Sequence, residues 1–220
     1  RAIPSPESGL VSGLLVGGSG RMPSEIQKNF SRAGVSHIVA VSGYNVALVV
    51  VLISSVCVLA GFSRTASFWL SVFALGFFTA VVGFPASAVR ASVMTGAALL
   101  SVRFGRIPDP VNAILLAGSS MAILNPLLLQ YDIGFQLSFA ATIGIFSFAP
   151  FLLLSFSFSD ILATTLAAEF FTFPIVLFHF HALPVLSTVA NLLVLPLVPI
   201  AMFLGFTSAV TGTFLPDFAE

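Results

Sequence analysis

Long apolar stretches, separated by a few charged residues, occupy most of this chain. No Asp, Glu, Lys or Arg lies between Arg32 and Arg64, and 22 residues separate Asp109 from Asp132. A helix needs about 20 mostly apolar residues to cross a bilayer. The pattern therefore predicts an all-α fold, a polytopic transmembrane helix bundle of about six to seven spans. We expect spans near residues 38–62, 67–84, 85–104, 110–129, 134–158 and 161–180, with a last element starting near residue 186.

The last apolar region is too long for one helix, because residues 170–216 contain no Asp, Glu, Lys or Arg. Pro184 marks a turn before its final element. Within that element, Pro196 and Pro199 lack the backbone N–H that a helix interior requires. The sequence therefore predicts a broken helix here, or a re-entrant segment followed by a span.

The first 36 residues hold six of the charged side chains and are predicted to form a separate N-terminal interfacial segment. A short amphipathic helix should start at Ser24, which can cap it, and end near Gly34. Ile26, Phe30 and Ala33 fall on one face of this helix. Residues 37–220 are then predicted to form the transmembrane domain.

Composition supports a membrane location. Of the 220 residues, 58% are hydrophobic and 7% are charged, and the mean hydropathy is +1.11. A soluble domain has about 25% charged residues. The formal net charge of zero argues against a strongly basic nucleic-acid surface. Because the chain begins at Arg1 and ends abruptly at Glu220, we expect a fragment of a longer protein.

Five polar or helix-breaking residues cluster at the start of the first predicted span: His37, Ser42, Gly43, Tyr44 and Asn45. Polar groups in hydrocarbon are unfavourable unless they find partners or face water. The Ser-Gly step permits local unwinding or close helix packing. This stretch is therefore predicted to line a passage or to pack against a neighbouring helix.

Two charged residues interrupt later spans. Arg90 lies in the third span and Glu169 in the middle of the sixth. A central carboxylate is unfavourable by about 2.5–3.5 kcal/mol on insertion scales. One hypothesis is an Arg90–Glu169 pair or a shared polar cavity. The alternative for Arg90 is that it extends to the membrane interface.

Three further polar residues, Gln136, Ser138 and Asn191, complete the set of candidate channel-lining or structural side chains. His179 and His181 are too few for a zinc site, which needs three or four ligands. A Ser42–His37 hydrolytic pair has no evident acidic partner. We therefore assign no catalytic residue, no metal site and no cofactor.

Short blocks follow one another across about residues 9–205, at positions 34–46, 85–91, 125–126, 132–139, 173–174 and 191–196. Together, and in this order, they are similar to the competence domain of the ComEC/Rec2 family. Position 45 is often histidine in that family, whereas this chain has Asn45, which argues against obligatory proton or metal chemistry there.

This resemblance implies a multi-pass channel of the bacterial cytoplasmic (inner) membrane that passes single-stranded DNA during natural transformation. The implied partners are the DNA strand, the lipid bilayer, OB-like and metallo-β-lactamase-like domains of the same or a partner chain, and other copies in a homo-oligomer. Arg90 could attract phosphate, and the lining would come from Ser42, Tyr44, Asn45, Gln136 and Asn191. The chain lacks a His-x-His-x-Asp-His signature, so we assign it no nuclease activity.

Three other functions remain open from the sequence. A small-solute or proton-coupled transporter would use Glu169 as its coupling carboxylate. An intramembrane hydrolase would use Ser42 or Glu169. A membrane scaffold would leave the chemistry to its partners.

Overall fold

A computed structural model describes residues 9, 13, 24–32, 43–156, 159–180 and 187–214 of the chain, and helices with short connections account for these residues. In chain order the α-helices are α1 (Ser24–Arg32), α2 (Gly43–Leu59), α3 (Arg64–Val81), α4 (Ala86–Arg103), α5 (Pro110–Leu124), α6 (Leu128–Tyr131), α7 (Ile133–Phe156), α8 (Asp160–Phe180), α9 (Ser187–Val194) and α10 (Val198–Phe214). The predicted all-α class is confirmed, since no strand occurs among these residues.

Within the described ranges, four helical stretches are long and apolar enough to cross a membrane: Arg64–Val81, Ile133–Leu154, Asp160–Phe180 and Ser187–Gly205. Two shorter apolar helices are Asn45–Leu59 and Pro110–Leu124. The remaining predicted span corresponds to α4, which belongs to neither group. The fold is thus a helical membrane bundle whose helices vary in length.

By internal contacts the chain forms two units, and the larger comprises Gly43–Leu183. Its first three helices end in the same way, with a glycine at a positive φ of 67–83°. The next residue donates its N–H back to a carbonyl of the last helical turn: Phe62 to Cys57, Phe84 to Thr79 and Arg106 to Ser101. Glycine suits these positions because it has no Cβ to oppose the left-handed conformation.

Serine and threonine pairs join α2, α3 and α4. Ser54 Oγ lies 3.1 Å from Ser71 Oγ, and Thr79 Oγ1 lies 2.6 Å from Ser92 Oγ. Ser71 and Thr79 are buried. Hydrogen bonds between helices hold membrane bundles together where the hydrophobic effect contributes little. These pairs therefore position α4, which carries Arg90.

Helices α7 and α8 form the most closely packed pair in this unit. A Cβ added at Gly144 would lie 2.6 Å from the carbonyl oxygen of Ala167 and 2.9 Å from the side chain of Phe171. Ala149, Ala163 and Ala167 are buried along the same contact. Small residues let the two backbones approach closely.

The second unit comprises Arg1–Ser42 and Pro184–Glu220. In it a 3₁₀ turn, Leu195–Leu197, separates α9 from α10, so the predicted break in the last helix is confirmed at Pro196. Phe30 of α1 packs against Val198 and Met202 of α10. Helix α1 corresponds to the predicted short helix, and Phe30, one residue of its predicted apolar face, makes this contact. The interfacial location of the segment stays a prediction. The predicted domain boundary between residues 36 and 37 lies outside the described residues and stays a prediction.

Candidate functional site

Arg90 lies one turn into α4 and is 9% exposed. Its Nε donates a hydrogen bond to Ser138 Oγ of α7 at 2.8 Å. Its Nη1 approaches the Sδ of Met94, one turn further along α4, at 3.4 Å. The guanidinium plane is therefore held between two helices, and Ser138 is a structural partner of Arg90.

The aromatic ring of Phe139 covers one side of the guanidinium. The Cζ of Arg90 lies 5.9 Å from its centroid, within the range of a cation–π interaction. Phe139 also stacks on Phe135 at 4.3 Å. Gly118 of α5 makes room for this ring, since a Cβ there would lie 3.1 Å from Phe139 Cε1. Helices α4, α5 and α7 thus meet around the cation.

The N-terminus of α2 packs against the other end of the guanidinium. A Cβ added at Gly43 would lie 3.0 Å from Arg90 Nη2 and 3.2 Å from Ala91 Cβ. Both contacts are tight, so this close approach depends on glycine. In the same turn, Asn45 is 1% exposed. Gly43, one of the residues predicted from the first span, therefore contacts Arg90, whereas Asn45 is buried two residues further along α2.

The described contacts of Arg90 are with uncharged groups: the Ser138 hydroxyl, the Met94 sulfur and the Phe139 ring. The hypothesised Arg90–Glu169 pair is not among them. The side chain turns inward towards α7 and is buried, unlike an arginine that extends to the membrane interface. A buried cation that contacts neutral groups keeps much of its ability to attract an anion.

Gln136 stabilises the connection before α7. Its Nε2 donates to the carbonyl oxygens of Leu129 at 3.0 Å and Gln130 at 3.1 Å, in the short helix α6. Beside it, Asp132 Oδ1 accepts the N–H of Phe135 at 2.8 Å and caps α7. Asn125 Oδ1 accepts the N–H of Leu127 at 3.1 Å. Residues 125–136 therefore form a tightly bonded turn, and the amide nitrogen of Gln136 bonds within it.

The remaining predicted residues are distributed differently. Glu169 lies in the middle of α8 and is half-buried, whereas Asn191 is buried in α9 of the other unit. Tyr44 lies in the first turn of α2. His37 and Ser42 lie outside the described residues.

Sequence reasoning missed Met94, Gly118 and Phe139 as neighbours of Arg90. For Phe139 the sequence offered one indication of this contact, because Phe139 directly follows Ser138 in the block at residues 132–139. Gly118 and Met94 look like ordinary residues of an apolar helix, and only the packing identifies their contacts. Among the residues that the structure describes, no three His, Cys, Asp or Glu side chains come together as a metal site would require.

Comparison with known proteins agrees with the blocks found in the sequence. The family described as "Competence protein" matches residues 14–220. The chain is 28% identical over 214 residues to ComE operon protein 3 of Bacillus subtilis (strain 168), which covers 97% of this chain. The chain spans about a quarter (27%) of that relative's length. No solved structure matches. Because the family match extends over nearly all of the chain, this protein belongs to the competence protein family, ComEC/Rec2.

Proposed function

We propose that this chain is the membrane channel domain through which single-stranded DNA crosses the bacterial cytoplasmic membrane in natural transformation. Membership of the competence protein family supports a role in DNA uptake. The observation that carries the channel role is the buried Arg90 guanidinium, which has uncharged partners where α2, α4, α5 and α7 meet. A buried cation is unfavourable inside a membrane protein, so its presence indicates a function such as binding an anion.

The physical properties of a DNA strand suit this domain. Its phosphates are attracted to a cation and its bases stack on aromatic rings. Few fixed charges are present, with 7% of residues charged overall, so binding along a passage would be weak. Conduction requires binding that is strong enough for entry and weak enough for release.

Further domains are part of the proposal, because the matched relative is much longer than this chain. We propose that OB-like and metallo-β-lactamase-like domains, in the same or a partner chain, handle the DNA outside the membrane. The domain itself then acts as a conduit without catalysis, and it is a multi-pass protein that works alone or as a homo-oligomer.

The test is DNA uptake in a naturally transformable bacterium that carries this gene. Cells lacking the gene should bind labelled duplex DNA at the surface but fail to bring a labelled strand into the cytoplasm, and the wild-type gene should restore uptake. Deletion with unchanged cytoplasmic uptake would contradict the proposal. Transformants should be counted in parallel with cytoplasmic label.

A second candidate function is proton-coupled transport of a small solute. Glu169 shares one face of α8 with Thr165 and Thr172, at helical spacing, and the buried Thr165 hydroxyl has no hydrogen-bond partner among the described residues. Such a face could carry a titrating carboxylate. Proton flux into proteoliposomes that requires a solute, and is lost in Glu169→Gln, would favour this function. Absence of such flux would contradict the transport function and leave the DNA channel as the remaining candidate.

A further inference from the structure

Three exposed arginines lie at one end of the larger unit. Arg64 is the first residue of α3, Arg103 belongs to the last turn of α4, and Arg106 follows in the connection to α5. A short connection, residues 82–85, joins α3 to α4. The two helices therefore run antiparallel, and the start of α3 lies at the same end as the three arginines.

The register between α3 and α4 supports this placement. Thr79 Oγ1 lies 2.6 Å from Ser92 Oγ. One helical turn further from the connection, a Cβ at Gly96 would lie 3.7 Å from the side chain of Leu75. Each turn of α3 thus lies beside one turn of α4. Continued to the helix ends, this register puts the start of α3 level with the residues that follow α4.

The three arginine side chains have no counter-ion and no hydrogen-bond acceptor in the part of the chain that the structure describes. Two acidic residues lie at the same end. Asp109 uses both carboxylate oxygens to bond to the first turn of α5. Asp160 is the first residue of α8, where a negative charge suits the positive end of the helix. Both acids therefore have a role in their own helices.

Arg64 stands where its own helix disfavours a cation. The N-terminus of an α-helix carries about half a positive charge, and Ser63 already caps α3 by accepting the N–H of Ala66 at 3.2 Å. Arg64 is thus not needed to cap α3. Its charge and those of the two neighbouring arginines repel one another. An anion from outside the protein would offset this repulsion.

Exposed aromatic rings lie next to the arginines. Phe62 precedes α3, Trp69 lies in its second turn, and Phe104 directly follows Arg103; each ring has more than half of its surface exposed. Tryptophan is enriched where the hydrocarbon of a bilayer meets its headgroups. Arginine stems cover apolar surface while their charges reach the polar side. This end of the unit therefore combines rings that suit lipid with charges that suit headgroup phosphates.

We propose that Arg64, Arg103 and Arg106 form a docking surface for the headgroups of anionic phospholipids. Guanidinium groups bind phosphate oxygens through charge-assisted hydrogen bonds, often two at a time. A basic residue near an anionic bilayer surface strengthens attraction about fivefold. The proposal requires only that the chain spans a membrane, and it does not depend on transport of DNA.

The single tryptophan of the chain, Trp69, reports on this surface. The purified protein is reconstituted in phosphatidylcholine nanodiscs that contain a fixed fraction of phosphatidylglycerol, and either lipid is brominated near its headgroup to quench tryptophan fluorescence. At equal mole fraction, brominated phosphatidylglycerol should quench Trp69 more strongly, with a local preference of about fivefold or more. High salt should reduce this preference, because the charges are exposed.

Removal of the arginines should remove the preference. Arg103→Gln should lower it severalfold, and the combination of Arg64→Gln, Arg103→Gln and Arg106→Gln should make quenching by the two lipids equal. Gln130→Glu is the matched control, because it changes the net charge by the same amount as Arg103→Gln at an exposed position of α6, beyond the far end of α5. It should leave the preference unchanged.

Replacement of all three arginines by lysine keeps the charges and should keep most of the preference, which separates loss of charge from loss of folding. Equal quenching by the two lipids in the wild-type protein would overturn the proposal. So would a preference that survives the triple glutamine variant. A protein without lipid preference that binds a short oligodeoxythymidine through these arginines would assign the surface to a DNA strand instead. A lipid preference in a protein that does not support DNA uptake would refute the channel function alone.

Discussion

At the scale of single residues, Arg90 shows how a polar group becomes tolerable inside an apolar bundle. Its hydrogen bond to Ser138, sulfur contact with Met94 and ring contact with Phe139 replace the water it loses. A buried donor without an acceptor destabilises a protein by about 1–3 kcal/mol. Each neighbour of Arg90 therefore contributes to folding as well as to the orientation of its charge.

Ser138→Ala should lower the free energy of unfolding by about 1–3 kcal/mol, because Nε of Arg90 then lacks its acceptor. Ser147→Ala is the matched control on the same helix. Its hydroxyl is exposed and, among the described residues, bonds only to the Ile143 carbonyl, so the change should be within about 0.5 kcal/mol of neutral. Unfolding by a graded denaturing detergent measures both variants. Equal stability of the two variants would show that the Ser138 bond contributes nothing.

At the scale of helices, close approach is set by a few small residues and a few bonded turns. Gly144 lets α7 contact the backbone of α8, and Gln136 ties the start of α7 to α6. The sequence identified both segments as helical. It did not show that Gly144 lies on the contact face, because apolar residues occupy every side of α7 and leave no distinct apolar stripe.

Gly144→Ala should destabilise the protein by about 1–3 kcal/mol, because its Cβ would overlap the carbonyl oxygen of Ala167 and force the helices apart. Gly76→Ala is the control in α3, where a Cβ would meet nothing within 4 Å. That control should be neutral or more stable by about 0.5–1 kcal/mol, from helix propensity. Thermal unfolding midpoints in detergent distinguish the two. A Gly144→Ala midpoint at or above the Gly76→Ala value would refute the close contact.

Gln136→Ala should loosen the turn between α6 and α7, because two carbonyl oxygens lose the same donor. The expected loss of stability is about 0.5–1.5 kcal/mol. Hydrogen exchange should be faster at residues 128–136 and unchanged in α3. DNA uptake should change only as far as stability does. Abolished uptake in a Gln136→Ala protein of normal stability would show instead that this amide lines the passage.

At the scale of the whole molecule, the exposed surface is largely apolar. Large hydrophobic side chains with more than half of their surface exposed occur on most of the long helices, for example Val58, Phe73, Leu115 and Leu193. In water such a surface would drive aggregation. In a bilayer it faces lipid, and this explains why so few charges are needed.

The protein should therefore remain in the membrane pellet after alkaline carbonate washing, and detergent should release it as a mainly helical species by circular dichroism. The physical reason is that the described apolar segments are helices, in which backbone groups bond within the segment, as a spanning segment requires. A peripheral membrane protein in the same preparation is the control and should be released. Release of this chain into the carbonate supernatant would contradict its assignment as an integral membrane protein.

The sequence by itself determined the helical class, most helix boundaries to within a few residues, the break at Pro196 and the family. These follow from local properties: apolar run length, glycine and proline positions, and short ordered blocks. Only the tertiary structure decided which polar residues meet. It gave Arg90 the partners Ser138 and Phe139 rather than Glu169, and placed Gly43 beside it, because contacts between helices distant in the chain depend on how their faces pack.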